Sequence, residues 1–222
     1  MKISDIIQED LDEGWKSNIA KLGASAALAL GSTGPKTPHQ MPSELVQTIS
    51  HSTPARTLAD LAVKSGIKGN ELAALMSQAA HETSNFTKMT ENGKDEYFLQ
   101  YEIPDQAKIL GNVDKNGNVI PGSGKKYRGR GHLHITGKYN YKIIGKALNL
   151  PLEKHPELLE DPEIGAKASL WYWKHRVVPK VKNFDDIYQV TRTINSKLKG
   201  MDSRIDYARK IKTAVWPPPE KP

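Results

Sequence analysis

From residue 57 onward apolar residues recur every three to four positions over most of the chain, the period of helices packed on a core rather than of strands. Residues 57–64 make one short amphipathic stretch. In residues 70–82, NELAALMSQAAHE, the side chains of Leu72, Leu75, Met76, Ala79 and Ala80 share one face, and Asn70 stands where an N-cap belongs. Glu82 then ends that helix. Helical spacing returns over 139–149, and again after Asp161-Pro162, where a capping residue followed by proline marks a start, and runs through LWYWKHR. Two more helices are expected over 185–197 and 202–215, before WPPPEKP stops regular structure. Residues 92–130 are rich in Gly, Asn and Lys and read as an extended lobe, with a small hairpin at 113–119 around Asn116-Gly117. No internal repeat interrupts this order.

The first 40 residues differ in pattern from the rest. Ile3, Ile6, Ile7 and Leu11 alternate with acidic residues in residues 1–16, which suits a short amphipathic helix able to dock on a partner. A small-residue apolar stretch follows, then the breaker-rich GSTGPKTPHQMP, a linker. The chain therefore divides into an appendage and linker (1–40), a catalytic body (41–216) and a proline-rich tail (217–222). The apolar run 22–30 has the length of a secretory core, but Asp5, Glu9, Asp10, Asp12 and Glu13 stand where a leader would be basic.

At 222 residues the chain fits one domain with a short addition. No apolar run reaches the roughly 18 residues of a membrane span. Lysine and arginine outnumber acidic residues 32 to 25, a formal charge of +7 that attracts polyanions at long range. No Lys/Arg block is interleaved with aromatics in the manner of a nucleic-acid track, so no nucleic acid partner is expected. Cysteine is absent, which removes disulfides, thiolate metal sites and cysteine nucleophiles together.

Three segments carry candidate chemistry. HETSNFTKMTEN, residues 81–92, supplies Glu82 and Glu91 at the end of an apolar helix. Glycosidases need a carboxylic acid to protonate the leaving oxygen and a second carboxylate to activate water or attack the sugar. Nine residues span about 13 Å as helix and up to about 30 Å extended, so the chain must turn after Glu82 for the two to cooperate. By themselves two glutamates at this spacing are equally surface charges. In YRGRGHLHITGKYNY, residues 127–141, Gly129 and Gly131 let backbone pass close to another group, as in a cleft wall or in a tight turn with Tyr139 and Tyr141 in the core. In residues 190–204, Asn195 and Arg204 can bind hydroxyls or orient a carboxylate, or serve as a C-cap and a surface charge. A metal site is not expected. His132 and His134 would share one face of a strand and His81 adjoins Glu82, but the residue four after His81 is Asn85, and Asp114 to Asn118 reads as a turn rather than a calcium loop.

Taken in order, Ala80-His81-Glu82-Thr83, Glu91-Asn92, Tyr127 to Tyr141, Trp171-Tyr172-Trp173 and Ile194-Asn195…Arg204 resemble the chitinase-like family 19 glycoside hydrolases, especially their phage endolysin branch. The resemblance runs from about Ala55 to Ala214. It implies a mainly α (α+β), lysozyme-like domain of two lobes, the smaller built from the hairpin and loops. It also implies an inverting mechanism with Glu82 as general acid, Glu91 as general base and Thr136 holding the attacking water. His81, Tyr127, His134, Tyr139, Asn140 and Asn195 would contact sugar, and Arg204 would bind there or tune the acid. No cofactor is implied.

The nine-residue gap between the glutamates is similar to the phage branch, so peptidoglycan leads chitin as the expected substrate and partner. Activity would be exerted in the periplasm or cell wall, from the host cytoplasm at lysis or from the phage particle, with residues 1–16 as the contact to that particle and the enzyme a monomer. A chitinase acting on N-acetylglucosamine polymers is the first rival. A glycan-binding virion protein without turnover is the second, motivated by three departures from the family pattern. Ser84-Asn85 and Ser196-Lys197 replace glycine pairs, and His134 replaces a glutamine and adds a charge that changes near neutral pH.

Overall fold

The computed structural model describes residues 52–215. The appendage, the domain start at 41 and the 217–222 tail lie outside the described residues. The fold is mainly helical, as the periodicity predicts, and β pairing among the described residues is confined to isolated antiparallel bridges. One of them, Val113 with Val119, closes the expected hairpin.

Helix α1, Thr53–Lys64, begins earlier than its apolar spacing suggests, because Ser52 caps it and Pro54 occupies its first turn. Helix α2, Gly69–Glu82, has Lys68 at its N-cap with no side-chain bond. The expected cap Asn70 instead donates across the molecule to Asp185 (3.0 Å). Asp185 also pairs with Lys212, so one exposed carboxylate links two helices.

The region expected to be extended, 92–130, holds short helices: α3 (Asp95–Phe98), a 3-10 turn (Leu99–Glu102), α4 (Pro104–Leu110) and α5 (Ser123–Lys126). They are too short to show a repeating apolar face, which is why periodicity misses them. Helix α6 spans Lys138–Leu148. A 3-10 turn at Pro156–Glu160 leads into α7, Pro162–Tyr172, whose start is capped by Asp161 through the amides of Glu163 and Ile164, as expected. The helix does not run on as α-helix through LWYWKHR. It widens into a π turn at Trp173–Val177. Helix α8 is only Ile187–Ile194, stopping at Asn195, and α9 is Met201–Val215. No helix among the described residues is long and apolar enough to cross a membrane.

Two cores organise these elements. In the first, α2 is the central helix, with every residue from Leu72 to Ala80 buried among α1, α8, α9 and the π turn. Trp173 is fully buried there, and its indole N–H is satisfied by Glu71 (3.0 Å). Each fully buried leucine in this cluster contributes about 1.5–3 kcal/mol. The second core joins Tyr127, Tyr141, Ile144, Leu152 and Leu159. Helix α7 serves both, presenting Ala166 to the first and Ile164 and Ala168 to the second.

His132 sits at the seam. Its Nε2–H donates to the Pro54 carbonyl (2.8 Å), pinning the 131–134 turn to α1. Burial pulls its imidazole down from 6.5 to about 4, against the opposing pull of that carbonyl. The unfolded chain therefore binds the extra proton first, so stability is full above about pH 6.5 and falls as pH drops toward 4. We predict a loss of up to about 3 kcal/mol over that window. Urea unfolding of wild type and His132→Gln at pH 7 and 4.5 checks it. An acid loss of equal size in the two proteins refutes the assignment to His132.

Candidate active site

The chain must reverse after α2, and it does so in an unusual way. Ser84, Asn85 and Phe86 all adopt positive φ (48°, 60° and 62°), a left-handed run built without glycine. Thr83 holds it in place. Its hydroxyl donates to Ala79 O and accepts from Phe86 N, while its carbonyl accepts the amides of Thr87 and Lys88. Phe86 anchors the turn by burying its ring in the first core.

The chain then reaches the second lobe through a two-bond clip. Glu91 N donates to Gly129 O (2.8 Å) and Gly131 N to Met89 O (2.8 Å), flanking the Thr90–Arg130 bridge. Glycine is required at 129, since a Cβ there would lie 2.8 Å from His134 Cβ and 3.2 Å from Glu91 Oε2. Arg130 points the other way and is nearly buried, bonding Glu160, Lys126 O and the Tyr141 hydroxyl.

Glu82 and Glu91 line one groove of about 640 Å³, together with Thr136, His134 and Asn195. Glu82 Oε1 accepts from Arg204 Nη2 at 2.6 Å. Arg204 is completely buried, and its remaining donors reach Gln78 Oε1 and Lys199 O. The other oxygen of Glu82 lies 4.0 Å from His134 Nδ1, leaving Oε2 as the oxygen free for a ligand. Glu91 is held differently. Its Oε1 accepts from the hydroxyls of Tyr97 (3.0 Å) and Tyr101 (2.7 Å), and its Oε2 from Gly129 N (3.0 Å). Burial and the bond to Glu91 push the Tyr101 hydroxyl far above its ordinary range, so it stays a donor.

Thr136 donates its hydroxyl to His134 O (2.8 Å), which leaves its lone pairs for an incoming donor. Asn140 is not among the groove residues. Its amide donates to Thr136 O (2.8 Å), holding that residue from behind. His134 bonds Lys88 O through Nε2 from a positive-φ backbone, and His132 is buried, so no strand places the two histidines on a shared face.

The remaining expected contacts stand elsewhere. His81 contacts Ser203 and packs against Gly200, where a Cβ would come within 2.0 Å of its ring. Burial and the nearby Arg204 lower its imidazole, with Glu82 pulling the other way. Tyr127 is a correction: it belongs to the second core at 5% exposure, its ring 5.4 Å from Tyr141 and its hydroxyl on Glu153 O. Tyr139 is 49% exposed but lies outside the groove, under the Arg176 guanidinium.

Sequence reasoning missed Tyr97 and Tyr101, the two side-chain donors to Glu91, and Gln78, the relay beneath Arg204. The tyrosines are four apart in a segment with no other helical signal, and Gln78 is one polar residue on a buried face. Asp114 also resolves plainly: Oδ1 accepts the Asn116 and Asn118 amides and thereby closes the hairpin turn.

Known proteins resemble the chain in both sequence and fold. The glycoside hydrolase family 19 profile, described as chitinase class I, matches residues 50–197. A family 19 domain-containing protein of Haemophilus influenzae is 30% identical over 159 residues, 63% of this chain and 77% of that one. Acidic endochitinase WIN6 of Populus trichocarpa is 33% identical over 115 residues, 51% of this chain and 33% of its own length. The match thus spans about a third of such plant endochitinases. Chitinase C from Streptomyces griseus superimposes with a TM-score of 0.57 at 21% identity, covering 79% of this chain and 91% of that one. Another bacterial family 19 chitinase gives 0.57 at 23% identity, covering 82% and 97%. These structural likenesses establish the α-rich, lysozyme-like fold.

The left-handed run predicts a measurable strain. A non-glycine residue pays about 1–2 kcal/mol there, and glycine returns about 0.5–1 kcal/mol of that as chain entropy. Ser84 is exposed, so Ser84→Gly should raise stability by up to about 1 kcal/mol in a urea titration. An unchanged or lower midpoint contradicts the strain.

Proposed function

This chain belongs to glycoside hydrolase family 19, and we propose that it hydrolyses the β-1,4 bonds of peptidoglycan glycan strands by inversion. The observation that carries the reading is the pair of differently held carboxylates on one groove wall system: Glu82 backed by a buried arginine, Glu91 gripped by three donors. In this reading Glu82 is the general acid. Arg204 occupies Oε1, so the proton is delivered from Oε2, which faces the groove. Glu91 is the general base, its Oε2 retaining a lone pair beside the Gly129 amide with which to take a proton from water. Thr136 orients that water by accepting one of its hydrogens. The leaving oxygen gains the Glu82 proton as the glycosidic bond breaks, and water adds to the opposite face of the sugar.

His134 and Asn195 border the same groove and are proposed sugar contacts. His81 and Arg204 act from behind Glu82 as positioning residues. The short gap between the glutamates and the net charge of +7 support an anionic wall polymer over a neutral one. A phage lytic enzyme is the proposed setting, acting on the wall from inside at lysis or from the particle. The second reading, a chitinase, is favoured by relatives named as endochitinases and by the bond type that the two polymers share.

Glu82→Gln keeps an oxygen acceptor for Arg204 and should lower turnover by a factor of about 10² to 10⁴. Zymography in cell-wall gels checks this, and clearing by the variant equal to wild type sinks the proposed acid. Reducing ends released from purified peptidoglycan and from chitin then rank the two substrates. Tyr101→Phe removes one charged hydrogen bond to the base and should reduce kcat about tenfold with little change in KM. An unaltered kcat would show that Tyr101 does not orient Glu91 for reaction.

A further inference from the structure

Beside the groove the molecule has a second concavity, of about 560 Å³, that the proposed reaction does not use. Lys180, Lys182, Asp186, Tyr188, Arg192 and Thr193 line it. Lys180 ends the 3-10 turn Val178–Lys180 that follows the π turn, and Tyr188 and Arg192 stand one turn apart on α8. The three cations are exposed, and no ion pair engages them among the described residues. The one carboxylate, Asp186, is engaged in capping α8 through the Gln189 amide (3.0 Å). Positive charge therefore exceeds negative charge in this concavity.

The backbone that carries Lys182 is also tied to α8. Gln189 Oε1 accepts the amides of Lys182 and Asn183, which fastens the 181–183 segment to α8 and sets Lys182 beside that helix. Moreover, α8 leads from one depression to the other. Arg192 and Thr193 line the concavity, and the next residues, Ile194, Asn195, Ser196 and Lys197, line the groove. A polymer leaving the groove past Asn195 next meets the face of α8 that carries Arg192.

The geometry points to a docking site for the acidic peptide stems of peptidoglycan, their carboxylates seated among Lys180, Lys182 and Arg192 while the glycan occupies the groove. This rests on the reading of the groove as a glycan-cleaving site. Such stems recur along a peptidoglycan strand and are absent from chitin, so the site discriminates between polymers that share the same glycosidic bond. Exposed charge pairs are individually weak and screened by salt, so the three act as an additive grip at low ionic strength rather than as a single tight pocket.

The test uses the full chain with Glu82→Gln to stop turnover, with and without Lys180→Ala, Lys182→Ala and Arg192→Ala together. Co-sedimentation is measured with sacculi freed of phosphate polymers, with the same material after an amidase has removed the stems, and with chitin. The triple substitution should weaken binding to intact, phosphate-free sacculi roughly tenfold at low salt. It should leave binding to stem-free glycan and to chitin unchanged. Equal binding by both proteins to intact sacculi overturns the site, as does an equal loss on stem-free glycan. A loss seen only before the phosphate polymers are removed identifies a phosphate site and also overturns it. Because these readouts are of binding, they remain distinct from failure of the cleavage reading, which shows as a wild type that opens no glycan bond in the same sacculi.

Discussion

The groove depends on one buried cation. Arg204 lies at zero exposure between α2 and α9, and each of its three guanidinium nitrogens donates a hydrogen bond, to Glu82, to Gln78 and to the Lys199 carbonyl. A guanidinium in that position is tolerable because a carboxylate pairs with it and every nitrogen has an acceptor. Removing the carboxylate leaves a buried charge, and removing the arginine leaves Glu82 Oε1 without its donor and Gln78 Oε1 with only the Thr191 hydroxyl (3.4 Å). The same contact that secures α9 on α2 thus fixes one oxygen of Glu82 and turns the other to the groove. Gln78 carries the constraint further, since its amide also donates to Thr191 on α8 (3.1 Å).

Glu91 solves the opposite problem. It follows a turn rather than ending a helix, so no helix of its own directs it, and the second lobe supplies the direction. Two tyrosine hydroxyls grip one oxygen and a backbone amide grips the other, which removes the freedom of a side chain with three rotatable bonds. Placing Tyr97 and Tyr101 correctly requires the short helices between residues 95 and 110. These helices bury little, yet Phe98 anchors α3 and the Glu102 carboxylate binds the amides of Gly122 and Gly124 across the lobe. The lobe's structure is mostly a scaffold for one carboxylate.

What was legible in the sequence follows from this division. Long helices with apolar stripes, the Asp161-Pro162 start and the Asn116-Gly117 hairpin were readable because each is a local rule. The two glutamates, His134, Thr136 and Asn195 were readable as a set only through ordered motifs, and they meet on one groove. Tyr127 stands in the same motif but serves the second core, and its hydroxyl finds the Glu153 carbonyl away from the groove, a distinction the motif alone does not carry. The short helices, the π turn and the early end of α8 were not readable. Short elements such as these depend on tertiary contacts, such as the Glu102 carboxylate taking up the amides of Gly122 and Gly124 at the start of α5, which no local pattern encodes.

The separation of the two carboxylates is the quantity that inversion depends on, and it is a property of the connection between lobes more than of either side chain. Glu82 ends α2, the central helix of the first core, and the grip on Glu91 belongs to the second lobe. Between them run eight residues whose course is over-determined: Thr83 closes the left-handed turn, Phe86 is buried in the first core, and the Glu91–Gly129 and Gly131–Met89 bonds clip the far end. A backbone clip is stiffer than a side-chain contact, because shifting it breaks paired hydrogen bonds rather than rotating a bond. The positive φ of Ser84, Asn85 and Phe86 follows from that requirement. Where glycine would make the reversal freely, this chain forces three substituted residues through it, and the strain is tolerated because both ends of the segment are already fixed by the groups that hold the carboxylates.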